Sequence, residues 1–177
     1  MFCATTILAI IHNGKLVMGG DGQVTFDKII MKANARKIRT MYKGKILCGF
    51  AGSAADGLTL YEKFEKKLDE YNGNLTRAAV ELAKDWRSDK ILRKLEAMMV
   101  VGDKTNLYII SGNGDVIEPD DKIAGIGSGS AYAIASARAL TRHCDLDPSQ
   151  IVKTSMEIAA GICIYTNNNI IIEQILD

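Results

Sequence analysis

Thr5–Gly20 reads Thr-Thr-Ile-Leu-Ala-Ile-Ile-His, then Asn13-Gly14, then Lys-Leu-Val-Met-Gly-Gly. Residues 5–12 are β-branched and apolar on both faces, which marks a strand covered on both sides. An Asn-Gly pair between two such runs predicts a hairpin, because a type I′ turn needs positive φ at both central positions. Residues 37–42 and 45–51 repeat the pattern around Lys43-Gly44. Beyond them Ser53 reads as a helix N-cap, and Leu58, Tyr61, Phe64 and Leu68 form a helical stripe ending near Asn72-Gly73. Residues 75–92 read as a second helix, with Ala79, Leu82, Ala83 and Trp86 on one face. Strands follow at 95–102, 106–111, 116–119 and 122–126, then an alanine-rich helix at 130–143. Pro148 opens a fourth helix with Asp147 as its cap, and residues 170–175 close with a strand. Hairpins dominate and β-α-β alternation is absent, which argues against a doubly wound parallel sheet. The order predicts an α+β fold: two mostly antiparallel sheets with a helix pair outside each.

Length and composition narrow the class. At 177 residues the chain is one domain with room for a real core. Lys and Arg number 22 against 21 acids, a balance that argues against nucleic-acid binding and against a polybasic membrane surface. Aromatics are 6%, too few for a base-stacking platform. No apolar run approaches the roughly 20 residues of a membrane span. The first residues lack a basic secretory n-region, and the four cysteines, at 3, 48, 144 and 163, form no Cys-x-x-Cys. Cys48 and Cys163 sit in apolar runs and read as buried hydrophobes, so the expected compartment is a reducing cytoplasm.

Much familiar chemistry is missing. His12 lies on the core strand and His143 at a helix end, neither placed for a Ser-His-Asp or Cys-His arrangement. The turn Gly125-Ile126-Gly127-Ser128-Gly129 precedes a helix and is open to two readings, a phosphate cradle or a plain tight turn. It lacks the P-loop lysine. Between Lys28 and Lys45 stand seven cations and no acid, and a lysine among cations tends to have its pKa lowered. Asp21 ends a strand whose hairpin partner begins at Thr5, so the two should meet.

Several motifs, in order and at matching spacing, carry a resemblance. They are Thr5-Thr6-Ile7, Gly20-Asp21-Gly22-Gln23-Val24, Met31-Lys32-Ala33-Asn34-Ala35-Arg36-Lys37 and Gly49-Phe50-Ala51-Gly52-Ser53. Ala83-Lys84-Asp85-Trp86-Arg87, Leu92-Arg93-Lys94-Leu95-Glu96-Ala97 and Gly127-Ser128-Gly129 continue the series. From Thr5 onward the chain resembles the HslV (ClpQ) family, the proteasome-β-like peptidase subunits of bacterial two-component ATP-dependent proteases.

The resemblance implies a four-layer αββα sandwich over residues 5–177 and a short propeptide, Met1–Ala4, removed by attack of Thr5 on the preceding carbonyl. It implies a threonine-type endopeptidase in which Thr5 is the nucleophile and its freed α-amine the base. Lys37 matches the catalytic lysine, Asp21 the acid that positions it, and Gly49 the oxyanion-hole amide. Ser128 matches a serine near the nucleophile, although it could equally cap a helix. A sodium site of main-chain carbonyls falls on Ala160, Cys163 and Thr166, with alanine where glycine is common. The implied partners are further copies of the chain in two stacked six-membered rings, the hexameric ATPase HslU, and unfolded protein substrates. The nucleotide would bind to the ATPase and not to this chain.

Overall fold

Asn13 and Gly14 both take positive φ, 52° and 74°, in the computed structural model of the chain. They join β1 (Thr6–His12) to β2 (Lys15–Gly20) in an antiparallel register that sets Ile7 against Gly20 and His12 against Lys15. The structure describes residues 5–26, 29–90, 92–95 and 97–175. The propeptide expected at Met1–Ala4 lies outside them.

Both faces of this hairpin are covered, which is why its residues do not alternate with polar ones. Leu8, Ile10 and Val17 face one way and pack on Ala133, Ala137, Ile151, Val152 and Met156. These belong to α3 (Ser130–His143) and α4 (Pro148–Ile162). Ile7, Ala9, Leu16 and Met18 face the other way and meet Ile38, Leu47, Val100 and Leu107 of a second sheet. Ile7, Leu8, Ile10 and Leu16 are fully enclosed, each contributing about 1.5–3 kcal/mol of burial.

The first sheet runs β10 (Ile123–Gly127), β1, β2, β11 (Ile171–Gln174), every pairing antiparallel. The second runs β5 (Ile38–Met41), β6 (Ile46–Ala51), β7 (Met98–Gly102), β8 (Leu107–Ser111), β9 (Val116–Ile117), likewise antiparallel. Its outer face carries α1 (Ala54–Glu70) and α2 (Leu75–Ser88), where Phe64, Leu82 and Trp86 close over Cys48, Phe50 and Val101. Three apolar layers thus separate four layers of secondary structure, the expected αββα sandwich.

The caps follow the sequence. Ser53 Oγ accepts the Asp56 amide at 3.2 Å, and Asp147 forms a full capping box with Gln150 ahead of Pro148. Several details differ, among them the strand read at 116–119, which ends at Ile117. A short hairpin, β3 (Val24–Phe26) with β4 (Ile29–Lys32), was not expected. Ile29, Ile30 and Met31 are all exposed, so the segment shows none of the one-sided burial that period-2 reading depends on. The second helix stops at Ser88 rather than 92, because Asp89 turns extended and its carboxylate accepts the Leu92 amide at 3.1 Å. The strand read from 95 begins at Met98.

Candidate active site

The register of the first hairpin carries Asp21 to the start of β1. Just past the Ile7–Gly20 pair, the Asp21 amide donates to the Thr6 carbonyl at 3.1 Å, and the Thr6 amide donates back to Asp21 Oδ1 at 2.8 Å. Asp21 is fully buried. The same Oδ1 accepts the Lys37 ammonium at 2.9 Å, and Lys37 Nζ also donates to the Gln23 carbonyl at 2.5 Å. A buried ion pair therefore sits against the residue that follows Thr5.

Lys37 alone of the described cations in the basic stretch is buried; Lys32, Arg36, Arg39, Lys43 and Lys45 are exposed. Its pKa is lowered, though not by neighbouring cations as the sequence suggested. Desolvation is the larger cause, and the charge and hydrogen bond of Asp21 oppose it. The backbone at Lys37 is fixed by Tyr61 of α1, whose hydroxyl donates to the Lys37 carbonyl at 2.7 Å. Phe50 meets the Tyr61 ring edge-on at 5.8 Å, and the Arg39 guanidinium lies 4.9 Å above it.

The turn 127–129 closes the other side. Ser128 N donates to the Thr5 carbonyl at 2.9 Å, with its hydroxyl 3.4 Å from the same oxygen, so Ser128 is held against Thr5. It does not cap α3: the N-cap is Gly129, which has no side-chain cap bond. Gly129 N donates to Thr6 Oγ1 at 2.9 Å. A Cβ on Gly127 would stand 1.9 Å from the Thr5 carbonyl oxygen, and one on Gly129 2.5 Å from Thr6 Oγ1. These glycines admit the start of β1, and the Ser128 and Gly129 amides are already engaged by it. The phosphate-cradle reading of the turn is therefore set aside.

Gly49 lies within β6, between Ile38 and Val100. A Cβ there would come within 2.8 Å of Ile7 Cγ2 and 2.9 Å of Met18 Sδ. The missing side chain is thus demanded by the approach of the two sheets. The contact does set Gly49 beneath Ile7, two residues from Thr5.

Thr6, Asn167, Gln23 and Tyr61 were missed. Thr6 Oγ1 meets Thr166 Oγ1 at 2.7 Å. Asn167 N reaches Asp21 Oδ2 at 3.4 Å, its Oδ1 accepts the Gly22 amide at 3.1 Å, and its Nδ2 donates to the Ala33 carbonyl at 2.9 Å. The polar run Thr166-Asn167-Asn168-Asn169 after an apolar helix was the available signal, since such side chains commonly tie loops to backbone groups.

The three carbonyls implied for a cation fall at the end of α4. Ala160 is in its last turn with no positive φ, so alanine in place of glycine strains nothing there. The Thr166 amide donates to the Cys163 carbonyl at 3.0 Å, curling residues 163–166 into a turn beyond the helix. Carbonyl oxygens at a helix C-terminus suit a hard monovalent cation. No cluster of three or more His, Cys, Asp or Glu able to hold a metal occurs among the described residues.

A threonine opening a strand, with a buried lysine–aspartate pair against the next residue, in an αββα sandwich, defines a threonine peptidase of the N-terminal-nucleophile kind. The family model described as "Proteasome subunit" matches residues 1–175. Subunits named "ATP-dependent protease subunit HslV" are 59% identical in Pseudothermotoga lettingae, covering 97% of this chain and 98% of the relative. The one from Bacillus cytotoxicus is 60% identical, covering 98% of each chain. The crystal structure of eukaryotic HslV from Trypanosoma brucei superposes with a TM-score of 0.91 at 42% identity, covering 96% of this chain and 98% of that one. The BPH protein of Thiobacillus denitrificans, at 17% identity and a TM-score of 0.72 with 96% of each chain covered, shares the fold. The chain belongs to the proteasome subunit family, and it is a threonine peptidase.

Proposed function

We propose that this peptidase is the proteolytic subunit of a two-component ATP-dependent protease, cutting unfolded protein that a partner ATPase feeds into an enclosed chamber. The observation that carries the catalytic reading is the single oxygen, Asp21 Oδ1, that holds both the Thr6 amide and the Lys37 ammonium. It fixes a buried cation beside the chain segment that bears the nucleophile.

A hydroxyl needs a base to attack at neutral pH, and an internal Thr5 has only an amide nitrogen. Attack of Thr5 Oγ1 on the Ala4 carbonyl carbon breaks the Ala4–Thr5 amide and forms an ester. The hydroxyl proton passes to the nitrogen, which becomes the free Thr5 α-amine; water then cleaves the ester, releasing residues 1–4 as a carboxylate and freeing the Thr5 hydroxyl. A free α-amino group has a pKa of about 7.7–8.0, so that amine can take the hydroxyl proton at working pH. Oγ1 adds to a substrate carbonyl, the amine returns the proton to the leaving nitrogen, and water hydrolyses the acyl-enzyme. The Lys37 cation favours the unprotonated amine and the developing oxyanion. The Gly49 amide is the oxyanion donor implied by the family pattern, and Ser128 orients Thr5.

The assembly proposed is two stacked hexameric rings of this chain in the cytoplasm, docked to a hexameric HslU-type ATPase. No helix among the described residues is long and apolar enough to cross a membrane. Sodium would be held by the main-chain carbonyls of Ala160, Cys163 and Thr166, where its charge would brace the end of α4 next to the site.

Intact mass of the purified chain and peptidase assays with and without an HslU-type ATPase test the reading. The expected wild-type chain begins at Thr5, while Thr5→Ala keeps residues 1–4 and is inactive. Full activity of Thr5→Ala would end it.

A further inference from the structure

We propose that the side-chain hydroxyl of Thr166 is a positioning residue for the nucleophile, acting through Thr6. This rests on Thr5 being the nucleophile and goes beyond the cation reading, which uses only the Thr166 carbonyl.

Thr6 is bonded to Thr5 and tied down on every side. Its amide and carbonyl go to Asp21, and its hydroxyl lies 2.9 Å from the Gly129 amide and 2.7 Å from Thr166 Oγ1. The backbone bonds would form with any residue at position 6; the hydroxyl pair is what only these two threonines supply. Both side chains are buried, Thr6 at 0% and Thr166 at 5% exposure. A β-branched side chain has few rotamers, so holding Oγ1 holds the Cα–Cβ direction and with it the peptide plane shared with Thr5.

The steric record is a second observation. A Cβ at Gly129 would lie 2.5 Å from Thr6 Oγ1 and 2.6 Å from Thr166 Oγ1, so the turn is shaped around the two oxygens together. The next residue, Asn167, reaches Asp21 Oδ2 at 3.4 Å and accepts the Gly22 amide. The loop after α4 thereby grips both Thr6 and Asp21, the two residues on which the placement of Thr5 and Lys37 depends.

Thr166→Val removes the hydroxyl at constant shape and leaves the carbonyl in place; Thr166→Ser keeps the hydroxyl. The assay is kcat and KM on a fluorogenic peptide, in assembled enzyme whose intact mass shows Thr5 at the N-terminus, together with the unfolding midpoint. Misplacement of reacting groups by about 1 Å costs on the order of 10²-fold, so a partial loosening is expected to lower kcat about tenfold. KM should stay within about twofold, and Thr166→Ser should restore kcat. Thr6→Val and the Thr6→Val/Thr166→Val pair complete a double-mutant cycle, in which the double variant should be no slower than the worse single one. Wild-type kcat in Thr166→Val overturns the proposal. So does a loss that Thr166→Ser leaves unrescued, and so do multiplicative losses in the cycle. Should Thr166→Val fail to assemble, Thr166→Ser against Thr6→Val decides: equal kcat values overturn the proposal. An active Thr5→Ala would instead remove the nucleophile reading, so the two failures are distinct.

Discussion

Asp21→Asn isolates the charge that holds the site together. Asp21 Oδ1 accepts the Thr6 amide at 2.8 Å and Lys37 Nζ at 2.9 Å; Oδ2 accepts the amides of Gln23 at 3.0 Å and Asn167 at 3.4 Å. An amide side chain offers one oxygen, so in either orientation two of these donors face an NH2 group. A buried donor without an acceptor costs about 1–3 kcal/mol, and breaking a buried ion pair from one side about 3–5 kcal/mol. The two overlap, so the expected loss is about 3–5 kcal/mol. In a chain of this size that lowers the thermal midpoint by roughly 6–20 °C. The catalytic effect has a separate signature. Asp21 is what raises the Lys37 pKa against desolvation, so without it the ammonium loses its proton at lower pH. The assay is kcat/KM against pH, on variant enzyme made to start at Thr5 through a cleavable fusion, so that failed self-processing does not masquerade as failed turnover. The expected result is a drop of about 10²-fold near neutrality, with the alkaline limb moved to lower pH. An unchanged alkaline limb with wild-type kcat/KM would refute the coupling of Asp21 to Lys37.

Further outcomes follow from the same geometry. The lowered Lys37 pKa means that the unfolded chain binds more protons between that value and 10.5, so folding stability gains as pH rises through this window. Lys37→Met should abolish that gain, read as the difference in urea midpoint between the two proteins across the window. Tyr61→Phe removes one buried hydrogen bond to the Lys37 carbonyl and should cost about 1 kcal/mol in denaturant unfolding, with a fall in kcat larger than any change in KM. Gly49→Ala drives a Cβ to within 2.8 Å of Ile7 between the sheets and should destabilise by about 1–3 kcal/mol, measured by thermal unfolding. Asp147→Ala removes the capping box of α4 and should cost about 1 kcal/mol while leaving kcat unchanged in peptide assays.

What the sequence discloses about this site follows from how far apart the interacting groups lie along the chain. Asp21 meets Thr6 because an Asn13-Gly14 turn sets the register, and counting residues from the turn brings the two together. Lys37 is harder: nothing local separates it from six other cations, and only its place at the buried edge of β5 and the family pattern single it out. Thr166 is 160 residues from Thr6, and its hydroxyl meets a partner only after two sheets and four helices have packed. Gly49 shows the opposite hazard. A glycine in an apolar strand marks a close approach, but sequence does not say what approaches, and here Ile7 and Met18 do. The pairing of β3 with β4 escaped notice for a related reason: with Ile29, Ile30 and Met31 all outward, no alternation distinguishes strand from loop. In this fold the proposed chemistry sits where β1, the Asp21 turn and the loop after α4 converge. Two of those three are fixed by hairpin arithmetic; the third is fixed by packing, and it is the one whose polar residues bind the other two into a single unit.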